Sequence, residues 1–236
     1  PVITPDDGNE PEKPDVTETK TGTLAFEDIW PGGGDYDMND VIVEYNRAVS
    51  FDKKNQVTKI VDTFTPVHDG AVFANAFAYQ VDKGQFGKMT FSATTEGIHT
   101  ESATSSIIVC PNVKQAIQKV YTITREFTGG SFNKKDLKSY NPYIIVKYAE
   151  GQKGRTEVHL PKHEATSLAD LSLAGTQKDA YYIDKEGAYP FAIDIPILNF
   201  ISVTEKKSID TEYPNFKAWA DSKGEKYTDW YNNHVN

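Results

Sequence analysis

The stretch that decides the fold class is VIVEYNRAVSFDKKNQVTKIVDTF, residues 41–64. Its two outer segments, 41–51 and 56–64, are dense in apolar, aromatic and β-branched residues, which favour strands. The four residues between them, 52–55, are polar and typical of a turn. The sequence therefore predicts a β-hairpin at this point.

The same pattern recurs along the chain at the spacing that is typical of a β-sandwich. We expect an all-β sandwich of jelly-roll-like character over residues 22–236, as one unit or as two packed lobes. One short helix is predicted near the end, where Pro214 precedes Phe216, Trp219 and Ala220 on one face and Gly224 lies at the C-terminal cap. The further predicted strands are 71–81, 86–95, 105–110, 119–127 and 143–148.

The composition excludes several classes of protein. The 236 residues include 25 basic and 34 acidic side chains, and the net charge of −9 repels nucleic acid. Cys110 is the only cysteine, so no disulfide can form within the chain, and we expect this residue to be an inert buried thiol. No apolar run approaches the roughly 20 residues of a membrane-spanning helix.

The first 21 residues differ in composition from the rest. They are rich in Pro, Asp, Glu and Thr, and they contain few residues that could be buried, which predicts a disordered linker. The chain begins at Pro1 without an initiator methionine or a signal peptide, so we expect that a signal or lipidation segment has been removed. The linker is then a spacer below a lipid anchor, or else a frayed terminus without a role.

The most informative loop is FEDIWPGGGDYDMND, residues 26–40. Five carboxylates in so short a span repel one another unless a cation offsets their charge. Ca²⁺ accepts 6 to 8 oxygen ligands in variable geometry, whereas Mg²⁺ requires a stricter octahedron and Zn²⁺ prefers His or Cys. An EF-hand is excluded because its glycine and its closing glutamate are missing. The alternative is an acidic surface turn. The predicted ligands are Glu27, Asp28, Asp35, Asp37, Asn39 and Asp40.

The loop also carries a family resemblance. FEDIWPGGGDYDMNDVIVEYN resembles the signature of LruC domain proteins of the bacterial envelope, and three later blocks resemble the same family: GAVFANAFAYQV, EVHLPKHEATSLADLSLAGT, and YPFAIDIP with EKKSIDTEYPNFKAWADSKGEKYTDWY. The resemblance implies a secreted, periplasmic or cell-surface lipoprotein, and it implies a calcium role for the same six loop residues. The alanines around Asn75 depart from the family pattern, so no binding role is assigned to that strand.

Catalytic motifs are missing from the sequence, and we expect a protein that is not an enzyme. No Gly-x-Ser-x-Gly elbow occurs. His159 and His163 are separated by Pro161, which breaks the helix that a zinc site at this spacing requires. A carbohydrate-active hydrolase remains the alternative, because two carboxylates such as Glu44 and Glu157 could form its catalytic pair.

In addition to calcium binding, the sequence leaves two roles open for the protein. The first is a module that binds a glycan or a surface protein, and the second is a passive structural component of the envelope. Aromatic side chains could form a stacking platform for sugars, although packing in the core is the alternative for all of them. These residues are Trp30, Trp219, Trp230, Tyr181, Tyr182 and Tyr189.

Overall fold

The structure is a computed structural model and describes residues 16–127, 132–138, 140–173 and 189–235. The described residues form twelve strands, two short α-helices and five 3₁₀ turns. The strands are β1 Val16–Phe26, β2 Val41–Phe51, β3 Gln56–His68, β4 Ala76–Gln80, β5 Thr90–Ala93, β6 His99–Glu101, β7 Ser106–Cys110, β8 Tyr121–Glu126, β9 Phe132–Asn133, β10 Asn141–Val146, β11 Thr156–His159 and β12 Ala192–Ile195. The helices are α1 Lys83–Phe86 and α2 Phe216–Asp221.

The predicted hairpin forms the centre of the larger sheet. β2 and β3 pair in antiparallel register, and the turn between them is held by Asp52, whose Oδ1 accepts from the backbone N–H groups of Lys54 and Gln56. Asn55 supplies the left-handed residue of the turn, with a φ of 58°. The sheet has the strand order β12-β1-β2-β3-β8-β5, and β9 pairs with the first two residues of β3.

The first strand begins earlier than the composition predicts. Residues 16–21 fall within the predicted linker, but they belong to β1, so the predicted boundary after residue 21 is wrong. All of β1 pairs with β2, from Val16 opposite Phe51 to Phe26 opposite Val41. The ladder is made by backbone groups, so these residues can pair while most of their side chains stay exposed. Residues 1–15 lie outside the described residues.

The second sheet covers the first. Its strand order is β11-β10-β4-β7-β6, and its pairs are antiparallel. Aromatic rings join the two sheets: the Phe77 ring on β4 lies 6.3 Å from the Phe26 ring and 5.1 Å from the Phe64 ring. Two antiparallel sheets around one core confirm the predicted all-β sandwich.

Two predicted strands are shorter than the sequence pattern indicates. Of residues 71–81 only Ala76–Gln80 form a strand, and residues 71–75 pack as a loop against the β1–β2 connection. Of residues 86–95 only Thr90–Ala93 form a strand, and Phe86 is instead the last residue of α1, which Asp82 caps by accepting from the N–H groups of Gly84 and Gln85. Side-chain hydrogen bonds of this kind compete with the strand.

The predicted C-terminal helix is confirmed as α2. Gly224 lies past its end with a φ of 81°, and its N–H donates to the Trp219 carbonyl oxygen at 2.9 Å. Phe216 and Trp219 of α2 pack with Tyr213 and Trp230 in an aromatic cluster. Within the described residues, no helix is long and apolar enough to cross a membrane.

Candidate metal centre

The acidic loop joins β1 to β2, and its apolar residues anchor it in the core. Trp30, Tyr36 and Met38 are buried. Tyr36 and Met38 both adopt left-handed backbone conformations, with a φ of 55° each. The two left-handed residues alternate along the chain with Asp35 and Asp37. The carboxylates of Asp35 and Asp37 lie close together.

Three of the six predicted ligands converge. One carboxylate oxygen from each of Glu27, Asp35 and Asp37 lies within 4.8 Å of the others. Glu27 follows the last residue of β1, is 1% exposed, and accepts the Met38 N–H at 2.5 Å. A Cβ atom at Gly34 would lie 2.8 Å from Glu27 Oε2, so a larger residue at this position would displace the Glu27 carboxylate from the cluster.

The electrostatics of the cluster show uncompensated negative charge. Burial raises the pKa of Glu27 to about 9, and the Asp40, Asp37 and Asp35 charges add to the effect. Burial likewise raises the pKa of Asp37, and it raises the pKa of Asp40 to about 7. Burial and the neighbouring charges thus disfavour the ionised forms of Glu27, Asp37 and Asp40, and a hard cation, which prefers oxygen ligands, would offset this cost.

The other three predicted ligands each have a hydrogen-bond partner outside the converging set, although the Asp40 charge still acts on Glu27. Asp28 Oδ2 accepts from Asn75 Nδ2 at 2.7 Å, and Asp40 Oδ2 accepts from the Asp28 N–H at 2.7 Å. Asn39 Nδ2 faces the Val203 carbonyl oxygen and Glu205 Oε2, at 3.4 Å each. These side chains brace the loop around the three converging carboxylates.

A distant segment that the sequence analysis missed closes the centre. The Lys206 N–H donates to Asp37 Oδ2 at 2.8 Å, and the Glu205 charge contributes to the raised pKa of Asp37. Lys206 is 169 positions away from Asp37 in the chain. The only sequence signal for this segment is that the C-terminal block that resembles LruC domain proteins begins at Glu205.

The described members of the predicted aromatic platform lie in the core. Trp30, Tyr189 and Trp230 are buried, and Trp219 is half-buried against Phe216 and Trp230. They therefore pack within the protein. Tyr181 and Tyr182 lie outside the described residues.

The predicted carboxylate pair lies on two different sheets. Glu44 of β2 accepts the Asn199 N–H at 2.6 Å. Glu157 of β11 is 1% exposed and is bonded to Arg155 and His159 at 2.6 and 2.9 Å. Hydrogen bonds from His159 and Thr166, together with the Arg155 charge, outweigh the effect of burial and hold the pKa of Glu157 at about 2.

The remaining sequence candidates have local explanations. His159 Nδ1 lies 2.7 Å from Asn141 Oδ1, whereas His163 Nδ1 lies 3.2 Å from the Pro161 carbonyl oxygen. The two histidines thus have separate partners. Cys110 is a buried free thiol, and burial raises its pKa.

These features define a two-sheet β-sandwich protein with a buried acidic cluster between its first two strands. A family model described as "Domain of unknown function (DUF4842)" matches residues 55–231, and the chain belongs to this family. The chain is also similar to a crystal structure named "putative lipoprotein" from Bacteroides ovatus, with 17% identity, a TM-score of 0.66, and coverage of 100% of this chain and 79% of that one. At this identity the likeness shows the fold. No curated protein matches the chain.

Proposed function

We propose that this protein is a calcium-stabilised module of the bacterial cell envelope, in which one Ca²⁺ ion is held by Glu27, Asp35 and Asp37. The observation that carries the proposal is the convergence of these three carboxylates within 4.8 Å, two of them buried. Carboxylates that are buried together cost free energy unless they are protonated or paired with a cation.

The donor set favours Ca²⁺ over other ions. All three groups are carboxylates, and they project from an irregular loop, which suits the variable coordination of calcium better than the strict octahedron of Mg²⁺. Neither His nor Cys contributes, as Zn²⁺ would require.

The ion would fix three parts of the fold to one another. Glu27 follows β1, Asp35 and Asp37 belong to the loop before β2, and Asp37 is hydrogen-bonded to the backbone of Lys206. A ligand that binds only the folded state stabilises it in proportion to the logarithm of its concentration over Kd. Calcium would therefore stabilise the docking of the C-terminal segment against the loop.

An extracytoplasmic location is part of the proposal. Calcium-binding modules outside the cell often have Kd values of about 10⁻⁴ to 10⁻³ M. The similarity in fold to the protein named as a lipoprotein and the resemblance to LruC domains both support a periplasmic or cell-surface location, with a lipid anchor upstream.

The test is a set of thermal melts in Ca²⁺, Mg²⁺ and EDTA. Calcium at 100 times Kd should stabilise the fold by about 2.7 kcal/mol, which raises the Tm by roughly 5–10 °C for a chain of this size. Asp35→Asn should remove most of this rise, because it removes one of the three converging carboxylates. Asp35 is exposed, so the change does not disturb the core. Asp229→Asn, an exposed aspartate far along the chain, is the matched control. An unchanged Tm in all three media, with no ion found by elemental analysis, would overturn the proposal.

Recognition of a glycan is a second candidate function. A cleft of about 310 Å³ is lined mainly by polar side chains, among them Glu44, His68, Gln118 and Asn199, with Phe200 beside them. The polar side chains could bond to sugar hydroxyl groups, and the Phe200 ring could pack on the apolar face of a sugar. This role would be supported by a glycan that binds the wild type and the control variant His163→Ala but does not bind His68→Ala. Absence of binding across a broad glycan library would overturn it.

A further inference from the structure

A second group of buried oxygen atoms lies next to Asp28, apart from the carboxylates of the candidate metal centre. Asn75 precedes β4 and is 0% exposed, and its Nδ2 donates to Asp28 Oδ2 at 2.7 Å. The opposite orientation of the amide would place two acceptor oxygens against each other, so the bond to Asp28 fixes which way Asn75 points. Its Oδ1 is left with no hydrogen-bond partner among the described residues.

Asp69 supplies a carboxylate to the same region. Its side chain is 3% exposed, and neither of its oxygens accepts a hydrogen bond within the part of the chain that the structure describes. Lys114 Nζ lies 3.2 Å from Asp69 Oδ1, but its hydrogen bond goes to the Ala71 carbonyl oxygen. Burial raises the pKa of Asp69 even though Lys114 opposes the shift, and the Asp28 charge adds to the rise.

Asn112 comes to this region through the backbone. The Val113 N–H donates to the Asn75 carbonyl oxygen at 2.9 Å, so the residue before Val113 lies beside Asn75. Asn112 Oδ1 is also buried and has no hydrogen-bond partner among the described residues. The segments that carry Asp28, Asp69, Asn75 and Asn112 are therefore adjacent in the fold, joined by the Asn75–Asp28 bond, by the Val113–Asn75 backbone bond and by Lys114, which contacts Asp69 and Ala71.

The distribution of unpartnered oxygens is what points to a ligand. Across the described residues, all the buried carboxylate and amide oxygens without a hydrogen-bond partner belong to Asp69, Asn75 and Asn112. Leaving such an atom unsatisfied costs about 1–3 kcal/mol, so a cluster of them is expected only where something else fills the space. Asp69 is ion-paired with Lys114, whereas Asp28 contributes a second carboxylate whose side-chain partner is the neutral amide of Asn75, so one ammonium group accompanies two carboxylates.

We propose that Asp28, Asp69, Asn75 and Asn112 form a second site for a divalent cation of the Ca²⁺ class, separate from the site at Glu27, Asp35 and Asp37. The ligands are oxygens of carboxylates and amides, which Ca²⁺ accepts. Lys114, which is ion-paired with Asp69, would compete with the cation for this carboxylate.

The two sites are close neighbours in the fold. The Gly70 N–H donates to the Asn39 carbonyl oxygen at 3.1 Å, and a Cβ atom at Gly70 would lie 2.6 Å from Asn39 Oδ1. The segment that carries Asp69 is therefore packed directly on the acidic loop. The second site nevertheless shares no residue with the first, so each can be removed alone.

The experiment is a measurement of calcium stoichiometry by equilibrium dialysis of the chelator-treated, folded chain. The wild type should bind two ions. Asp69→Asn and Asp35→Asn should each bind one, and the double variant should bind none. Lys114→Met should bind two, with the affinity of one site raised at least several-fold because a competing positive charge is removed.

Each outcome separates this inference from the proposed function. One bound ion that Asp35→Asn abolishes would overturn the second site and leave the proposed function intact. One bound ion that only Asp69→Asn abolishes would overturn the proposed function and leave the second site intact. If Asp69→Asn fails to fold, Lys114→Met decides: unchanged or weaker binding in that variant overturns the second site.

Discussion

Replacing Glu27 with glutamine should stabilise the protein in chelator and destabilise it in calcium. Glutamine has the shape of glutamate and keeps an acceptor oxygen for the Met38 N–H, so the change removes the ionisable group and little else. Without calcium, burial and the Asp40, Asp37 and Asp35 charges hold the pKa of Glu27 at about 9, compared with 4.5 for an exposed glutamate.

The sign of the effect follows from the raised pKa. At pH 7 the folded state keeps the proton on Glu27, whereas the unfolded state has lost it, so the free energy of unfolding of the wild type falls as the pH rises from 4.5 towards 9. Each pH unit is worth about 1.4 kcal/mol, and pH 7 lies 2.5 units above 4.5, so the penalty at pH 7 is at most about 3.5 kcal/mol. Glu27→Gln carries no such penalty and should be the more stable protein in EDTA at pH 7.

The assay is urea denaturation of both proteins in EDTA at pH 5 and pH 7, repeated at pH 7 in calcium. The difference at pH 5 should fall below about 1 kcal/mol, because this pH lies only about half a unit above the pKa of Glu27 in the unfolded state, so little of the penalty has developed. In calcium the order should reverse, since the wild type gains the binding energy and the variant has lost a ligand. A variant that is less stable than the wild type in EDTA at both pH values, or that keeps the full calcium effect, would refute the reasoning.

Two further predictions concern other parts of the fold. Glu157→Gln should lower the free energy of unfolding by about 3–5 kcal/mol at pH 7, because it leaves Arg155 buried without its full set of charged partners. Since the pKa of Glu157 is held at about 2, its contribution is present above pH 4.5 and is lost as the pH falls towards 2, which urea titrations at several pH values will detect. Gly34→Ala should weaken calcium binding about ten-fold or more in isothermal titration, because its Cβ would lie 2.8 Å from Glu27 Oε2. Gly33→Ala has open space around its Cβ and should bind as the wild type does; equal loss in both variants would contradict the explanation.

The sequence predicts the parts of the fold that depend on local pattern. The β2–β3 hairpin is confirmed because dense β-branched residues and a turn centred on Asp52 and Asn55 act over neighbouring positions. The start of β1 was not predictable in this way. Residues 16–21 have the composition of a linker, and they are extended because β2 offers them an antiparallel partner, which is a property of the tertiary structure.

The candidate metal centre shows the same limit. The acids could be selected from their density in residues 26–40, but their alternation did not reveal which of them meet. Asp35 and Asp37 converge, whereas Asn39 turns towards Val203 and Glu205. That choice depends on the left-handed backbone at Tyr36 and Met38 and on residues far along the chain, neither of which leaves a local signal.

The adjacent acids Glu27 and Asp28 explain how one loop can serve two separate groups of oxygens. The Glu27 N–H donates to the Phe191 carbonyl oxygen at 2.8 Å, so the extended pairing of β1 continues into this position. In extended backbone, consecutive side chains point in opposite directions. Glu27 therefore meets Asp35 and Asp37 on one side, while Asp28 meets Asn75 on the other. Two neighbouring acids at the end of a strand, each facing a different loop, are what an arrangement of two adjacent cation sites requires.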